Sequence, residues 1–144
     1  SENELYRIRK KIEGCIYGCP KRIAETIPVN SSLAIIEMNN STNKIMGIGI
    51  IVNYLRMDTN YYIYSDGNYD RYVYKSKYRI DCSEFKENEL PLIKYLEKIT
   101  FYGKTHLKRG QGITLVPEKK TAAYSVEQLP IHEFILEMFR RRYS

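Results

Sequence analysis

The sequence predicts an α+β fold in which helices flank a small, strongly curved sheet or β-barrel. Three observations predict it. Apolar residues recur at helical spacing near the start, in the middle and at the end of the chain, whereas residues 33–80 are β-branched, apolar or alternating. Gly47 and Gly49 fall inside a strand-like run, as glycines do where a sheet bends or another group comes close. No repeat, linker or low-complexity tract divides the 144 residues, so residues 1–144 are expected to form a single domain.

Taken in order, Leu5, Ile8 and Ile12 form the apolar stripe of a first helix, with Gly14 as its stop. CIYGC (15–19) reads as a tight connection around Gly18, and 20–27 as a second short helix between Pro20 and Pro28. LAIIEMN (33–39) and IMGIGIIVNYL (45–55) predict two strands joined through NSTN as a hairpin. Gly47 and Gly49 share one face of the second strand, where packing against a crossing helix would explain them. YYIY (61–64) and YDRYVYKSKYRI (69–80) predict a second hairpin, turning at Asp66-Gly67. Alternation in its last strand puts Tyr72, Tyr74, Tyr78 and Ile80 on one face and Arg71, Val73, Lys75, Lys77 and Arg79 on the other.

Residues 90–102 return to helical spacing through Leu92, Tyr95, Leu96 and Ile99, with Pro91 in the first turn. Residues 113–116 read as a short strand ended by Pro117, and EKKTAAYSVEQ (118–128) as a polar loop. A last amphipathic helix over 130–142 turns Ile131, Phe134, Ile135, Met138 and Phe139 inward. Its terminal Arg140, Arg141 and Arg142 suit the negative end of the helix dipole and equally suit binding.

Twenty-three Lys and Arg against 17 Asp and Glu give a net charge of +6, which favours a polyanionic partner: nucleic acid or an acidic membrane surface. No run of about 18 apolar residues predicts a membrane-spanning helix, and no secretory signal is legible. With Cys15, Cys19 and Cys82 as an odd set, reduced thiols in an intracellular compartment, cytoplasmic or nuclear, are expected.

The densest functional signal is FYGKTHLKRGQG (101–112). Lys104, His106, Lys108 and Arg109 supply positive charge, and Gly110 and Gly112 allow a close approach to exposed backbone N–H groups, as a phosphate contact needs. A basic, solvated turn is the structural alternative. Arg71, Lys75, Lys77 and Arg79 could extend the track, or form the solvated side of a strand whose aromatic face is buried. The 14 tyrosines could stack on bases.

Enzyme readings fare worse. The GKT of the loop lacks the upstream glycine and preceding strand of a phosphate-binding P-loop. Cys82 with His106 has nothing beyond residue type to support a nucleophile–base pair. Cys15, Cys19, Cys82 and His106 could make a Cys₃His zinc set, but without two tight ligand pairs buried thiols are the simpler reading. Asp81, Glu84, Glu87 and Glu89 suit solvation and the start of a helix, and Asp58, Asp66 and Asp70 suit turns. The sequence therefore predicts no catalytic residue, metal or cofactor.

The order of elements from 20 to 116, above all LAIIEMN followed by NKIMGIGIIVN, resembles the PUA-like superfamily with its ASCH, EVE and YTH domains, which are small β-barrels with flanking helices. The resemblance implies a pocket that receives RNA, DNA or a modified base. Readers of modified bases line it with Trp, which this chain lacks. The expected function is nucleic-acid binding through the Gly-flanked loop. The alternative is a structural protein that forms a homodimer through its Tyr-rich strands or terminal helix, with its cations serving solubility or partner docking.

Overall fold

The computed structural model describes residues 1–56 and 61–143; Asp58, one of the predicted turn residues, lies outside them. In chain order the elements are α1 (Glu2–Lys10), β1 (Cys15–Cys19), β2 (Ser32–Asn39), β3 (Lys44–Val52), a 3₁₀ turn (Gly67–Asp70), β4 (Tyr72–Ser76), β5 (Tyr78–Asp81), two further 3₁₀ turns (Cys82–Glu84 and Glu87–Glu89), α2 (Leu90–Phe101), α3 (Glu118–Ala122), β6 (Ser125–Val126), β7 (Leu129–Pro130) and α4 (Ile131–Tyr143). The class is α+β, as expected. The strands form an antiparallel ribbon β1–β4, a three-stranded sheet in the order β2-β3-β5 and a minimal antiparallel hairpin β6–β7. Among the described residues none of these sheets closes into a barrel.

The chain divides into two compact units, each drawn from three separate stretches: Ser1–Ile35, Gly49–Arg79 and Gly110–Thr114 in the first, and Ile36–Ile48, Ile80–Arg109 and Leu115–Ser144 in the second.

The first unit is organised by the β1–β4 ribbon. CIYGC, expected as a connection, is a strand in which every residue is buried. Its register with β4 pairs Cys15 with Ser76, Tyr17 with Tyr74 and Cys19 with Tyr72. Cys15, Tyr17 and Cys19 pack with Ile23, Ile51 and Tyr74 in one apolar cluster. Ile16 and Val73 pack with Tyr6 and Ile63 in another. Successive side chains of a strand point to opposite faces, so the ribbon is a layer with apolar cores on both sides. A strand buried on both faces carries no alternation, which is why periodicity did not reveal it.

Gly49 owes its place to this layer: a Cβ there would collide with Tyr17 Oη and stand 2.7 Å from Cys15 Sγ. The close approach anticipated for Gly49 is thus to side chains of a crossing strand, not to a helix.

Several expected elements give way to tertiary contacts. Residues 20–27 are not helical; the Ile23 N–H is donated to Tyr74 Oη at 3.1 Å in the buried interior. Residues 61–64 do not pair as a strand, because the N–H groups of Ile63 and Tyr64 both donate to Asp70 Oδ1 at 3.1 Å. The partner of β4 is therefore β1, not its sequence neighbour. The first helix forms, but it ends at Lys11 in the left-handed conformation (φ 55°), short of Gly14. Of its predicted stripe, Leu5 is 65% and Ile8 67% exposed, whereas Ile12, just past the helix, packs against the cluster around the buried Tyr6. The helix is fastened on its polar side. Asn3 Nδ2 donates to the Ile16 carbonyl (2.6 Å) and to Tyr64 Oη (3.0 Å), and the Glu2 carboxylate accepts from Ser65.

The second unit follows the sequence more closely. In α4 the five predicted inward residues, Ile131, Phe134, Ile135, Met138 and Phe139, are all buried. In α2 Pro91 sits in the first turn and Leu92, Ile93, Leu96, Thr100 and Phe101 are buried. Residues 118–122, expected as loop, form α3, and residues 113–116, expected as a strand, do not pair as one.

Glu89, only 1% exposed, is held by Arg142 through two hydrogen bonds, Nη2–Oε1 at 2.7 Å and Nη1–Oε2 at 2.9 Å. The Lys86 N–H adds a third at 2.8 Å, and Arg142 also donates to the carbonyls of Glu84 and Met138. Burial pushes the Glu89 carboxyl up, but the bonds from Arg142 and Lys86 and their positive charge outweigh it, and the net shift is downward.

Two predictions follow from these contacts. Gly49→Ala should destabilise the protein by about 1–3 kcal/mol through overpacking, seen as a lower urea midpoint with an unchanged slope. Arg142→Ala should cost about 3–5 kcal/mol by leaving Glu89 buried and unpaired. Because the folded pKa of Glu89 lies below the unfolded value, its contribution is present above the ordinary glutamate pKa of about 4.3 and is lost as pH falls through the depressed value. In Arg142→Ala burial without that partner pushes the Glu89 carboxyl up, so the deficit should narrow as the pH falls and Glu89 gains its proton; urea midpoints measured against pH would check it.

Candidate nucleic-acid interface

The basic loop begins where α2 ends, in the second unit. Beyond Phe101 the chain turns through Gly103 (φ 85°), which has open space around its Cα, and returns as Leu107 N–H donates to the Thr100 carbonyl at 2.7 Å. Lys120, from α3, donates its ammonium to the carbonyls of Ile99 (2.9 Å) and Thr105 (2.6 Å). A cation is thus placed on one carbonyl at the end of the helix and one in the turn that follows it. Tyr95 holds α3 in turn, donating to the Lys120 carbonyl at 2.7 Å and stacking on Tyr124 at 4.1 Å between centroids.

Within this frame the loop cations divide. Lys108 Nζ donates to Asn43 Oδ1 at 2.8 Å, and the Lys108 carbonyl accepts from Asn40 Nδ2 at 3.3 Å, so Lys108 fastens the loop to the β2–β3 turn. His106 is half-buried, and its Nδ1 accepts the Lys108 N–H at 3.2 Å. Lys104 and Arg109 are exposed, and no carboxylate among the described residues pairs with them. Two of the four expected contacts therefore hold the loop in shape and two face outward.

Gly110 and Gly112 belong to the first unit. Gly112 has φ 70°, and a Cβ there would stand 3.0 Å from Cys19 Cβ and 3.3 Å from Pro20 Cδ. The close approach its glycine permits is to the end of β1. The next residue, Ile113, packs against the cluster around Cys19. Burial pushes the Cys19 thiol up to about 11, opposed by a hydrogen bond from the Ile113 backbone. Cys19 is consequently a protonated, buried thiol at neutral pH, unsuited to act as a nucleophile. Gly110 is exposed.

Of the cations of the second predicted site, Lys75 lies on β4, Arg71 and Lys77 flank it, and Arg79 lies on β5. Arg71, Lys75 and Lys77 are exposed and Arg79 is half-buried. The single long strand expected here is interrupted at Lys77, between β4 and β5. Its basic side is not a continuous solvated face either: Val73, in the middle, is 2% exposed and packs on Ile16. Arg71 and Lys75 reach solvent at the margins of the ribbon. Lys77 lies 5.2 Å from the Tyr78 ring centroid and Arg71 5.5 Å from that of Tyr72. A residue absent from the predicted set joins them: Arg22 stands 5.3 Å from the same Tyr72 centroid. The pairing of Cys19 with Tyr72 carries the segment after β1 to this ring. No short-range pattern signals that pairing, because 53 residues separate its partners.

The other chemistries weighed from the sequence find no constellation. Cys15 and Cys19 lie on one face of one strand, about 13 Å apart at 3.3 Å per residue, whereas ligands of one zinc ion sit within about 4 Å of one another. Among the described residues no group of three or more His, Cys, Asp or Glu side chains could hold a metal ion. The carboxylates serve local structure: Asp81 accepts from Ser83, Glu84 from the Asp81 N–H, and Asp66 from the Asn68 N–H. None of the three cysteines forms a disulfide. No helix among the described residues is long and apolar enough to cross a membrane.

Fold and surface together define a basic α+β protein in which Arg22, Arg71 and Lys77, all exposed, stand beside tyrosine rings. No family model, curated protein or solved structure matches the chain.

Proposed function

We propose that the protein is an intracellular nucleic-acid-binding module that holds the phosphate backbone of RNA or DNA. The observation that carries this reading is the state of Arg71, Lys75 and Lys77: exposed, without a carboxylate partner among the described residues, and mounted on or beside a ribbon fixed by burial on both faces. Cations held on a rigid frame lose little conformational freedom when an anion arrives. Lys104 and Arg109 offer a second pair of outward charges. The resemblance of β2 and β3, with Gly47 and Gly49, to the paired strands of PUA-like domains belongs to the same proposal.

The test is a salt titration of binding to RNA and DNA oligonucleotides. If Arg71, Lys75 and Lys77 neutralise three phosphates, the slope of log K against log salt should be about −2 to −3. Lys75→Ala with Lys77→Ala should reduce it by about 1.5. A slope near zero ends the reading.

Leu5 and Ile8 favour a second reading, a homodimer. They are exposed on α1, whose first turn carries Glu2 and Glu4 and whose last turn carries Arg7, Arg9 and Lys10. Two such helices packed antiparallel would bury the apolar pair and set each acidic end against a basic one, as a two-fold interface requires. The terminal helix is not available for that role through its apolar face, which is buried. Light scattering across protein concentrations should then give a dimer that Leu5→Asp with Ile8→Asp converts to monomer; a wild-type monomer throughout rejects it.

A further inference from the structure

We propose that Arg22 and Arg71, gathered on the ring of Tyr72, form a two-armed clamp for the phosphodiester backbone of a nucleic acid, read without regard to base; the inference rests on the function proposed above. Both guanidinium groups lie within 5.5 Å of one ring centroid, and both residues are exposed. The ring they share is fixed: Tyr72 is half-buried, pairs through its backbone with Cys19, and packs against the cluster beneath the ribbon. The segment bearing Arg22 is fixed too, because the next residue, Ile23, donates its N–H to the buried Tyr74 hydroxyl at 3.1 Å. Two cations thus share one anchored ring, and no carboxylate among the described residues pairs with either. Both charges are left for an anion from outside the chain to neutralise.

The residue type bears on the ligand. A guanidinium can lie on an aromatic face and still present a planar edge of N–H donors, which match phosphate oxygens in pairs. Lysine at the same place would supply charge without that fork. The Tyr72 ring serves the arginines and the core, so it is an anchor for the clamp and no platform for a base. Contacts that reach only the backbone position a strand without reading its sequence.

Fluorescence anisotropy with labelled oligo-dT, oligo-rU and a mixed-sequence oligonucleotide tests the clamp, with thermal unfolding to verify each variant's fold. Arg22→Ala should weaken binding about tenfold, the loss of one charged hydrogen-bonding group, and to the same extent on all three probes. The charge-preserving double variant Arg22→Lys with Arg71→Lys should weaken it at least as much. Lys94→Ala, which removes an exposed cation in the other unit, sets the scale of a generic charge effect and should change affinity by no more than about twofold. If the double lysine variant binds like the wild type, charge alone suffices and the clamp is overturned while the nucleic-acid reading stands. If Arg22→Ala acts on one probe only, base-independent reading is overturned. If the wild type binds none of the probes, the function proposed above falls, and the clamp with it.

Discussion

Burial of the β1–β4 ribbon on both faces is the constraint on which the first unit rests. One face carries Cys15, Tyr17 and Cys19 into a cluster with Tyr74, and the other carries Ile16 and Val73 into a cluster with Tyr6. A pair of strands with no solvated side must have every backbone group satisfied and every side chain fitted. The position of Gly49 follows from that fit. So does the placement of charge: with the middle of β4 enclosed, cations are confined to its margins, where Arg71 and Lys75 stand. The polar fastening of α1 and the departure of residues 20–27 from helix are further adjustments to the same layer.

In the second unit a buried ion pair has the comparable role. Glu89 and Arg142 satisfy each other bidentately and recruit backbone groups at Lys86, Glu84 and Met138. The terminal arginines, which the sequence left open between dipole and binding roles, are thereby separated. Arg142 is structural, whereas Arg140 pairs with Glu137 on the surface, where an ion pair contributes little. The basic loop repeats the lesson. Lysines at 108 and 120 donate to Asn43 and to carbonyls of the helix end and the loop, so formal charge overstates what the loop presents to a partner.

Legibility in the sequence tracked how local each cause was. α2, α4, β2 and β3 could be read because apolar spacing or a β-branched run specifies them within a dozen residues. The 33–39 and 45–55 strands were placed nearly to their observed ends, and the inward face of α4 was read residue by residue. β1 is not legible because it is short, glycine-containing and buried on both sides. The inward face of α1 is not legible because the hydrogen bonds that Asn3 donates and Glu2 accepts outweigh the exposure of Leu5 and Ile8. Of the candidate sites, the exposure of Arg71, Lys75 and Lys77 was legible. The internal role of Lys108 and the meeting of Arg22 with Tyr72 were not, since each depends on a partner more than 40 residues away.

Each compact unit is assembled from three stretches of chain, and this governs how the molecule can be made and unmade. No single cut releases either unit whole: a cleavage after Ile35 leaves the first without Ile51, Val73 and Tyr74, which complete its clusters. The ribbon itself joins residues 53 to 61 positions apart. Its loop-closure entropy must be met before burial of the cores repays it, which slows folding relative to a helical chain of equal length. Neither half can evolve, be exchanged or be excised as a module, and a nick in an exposed connection should loosen a whole unit rather than trim an edge.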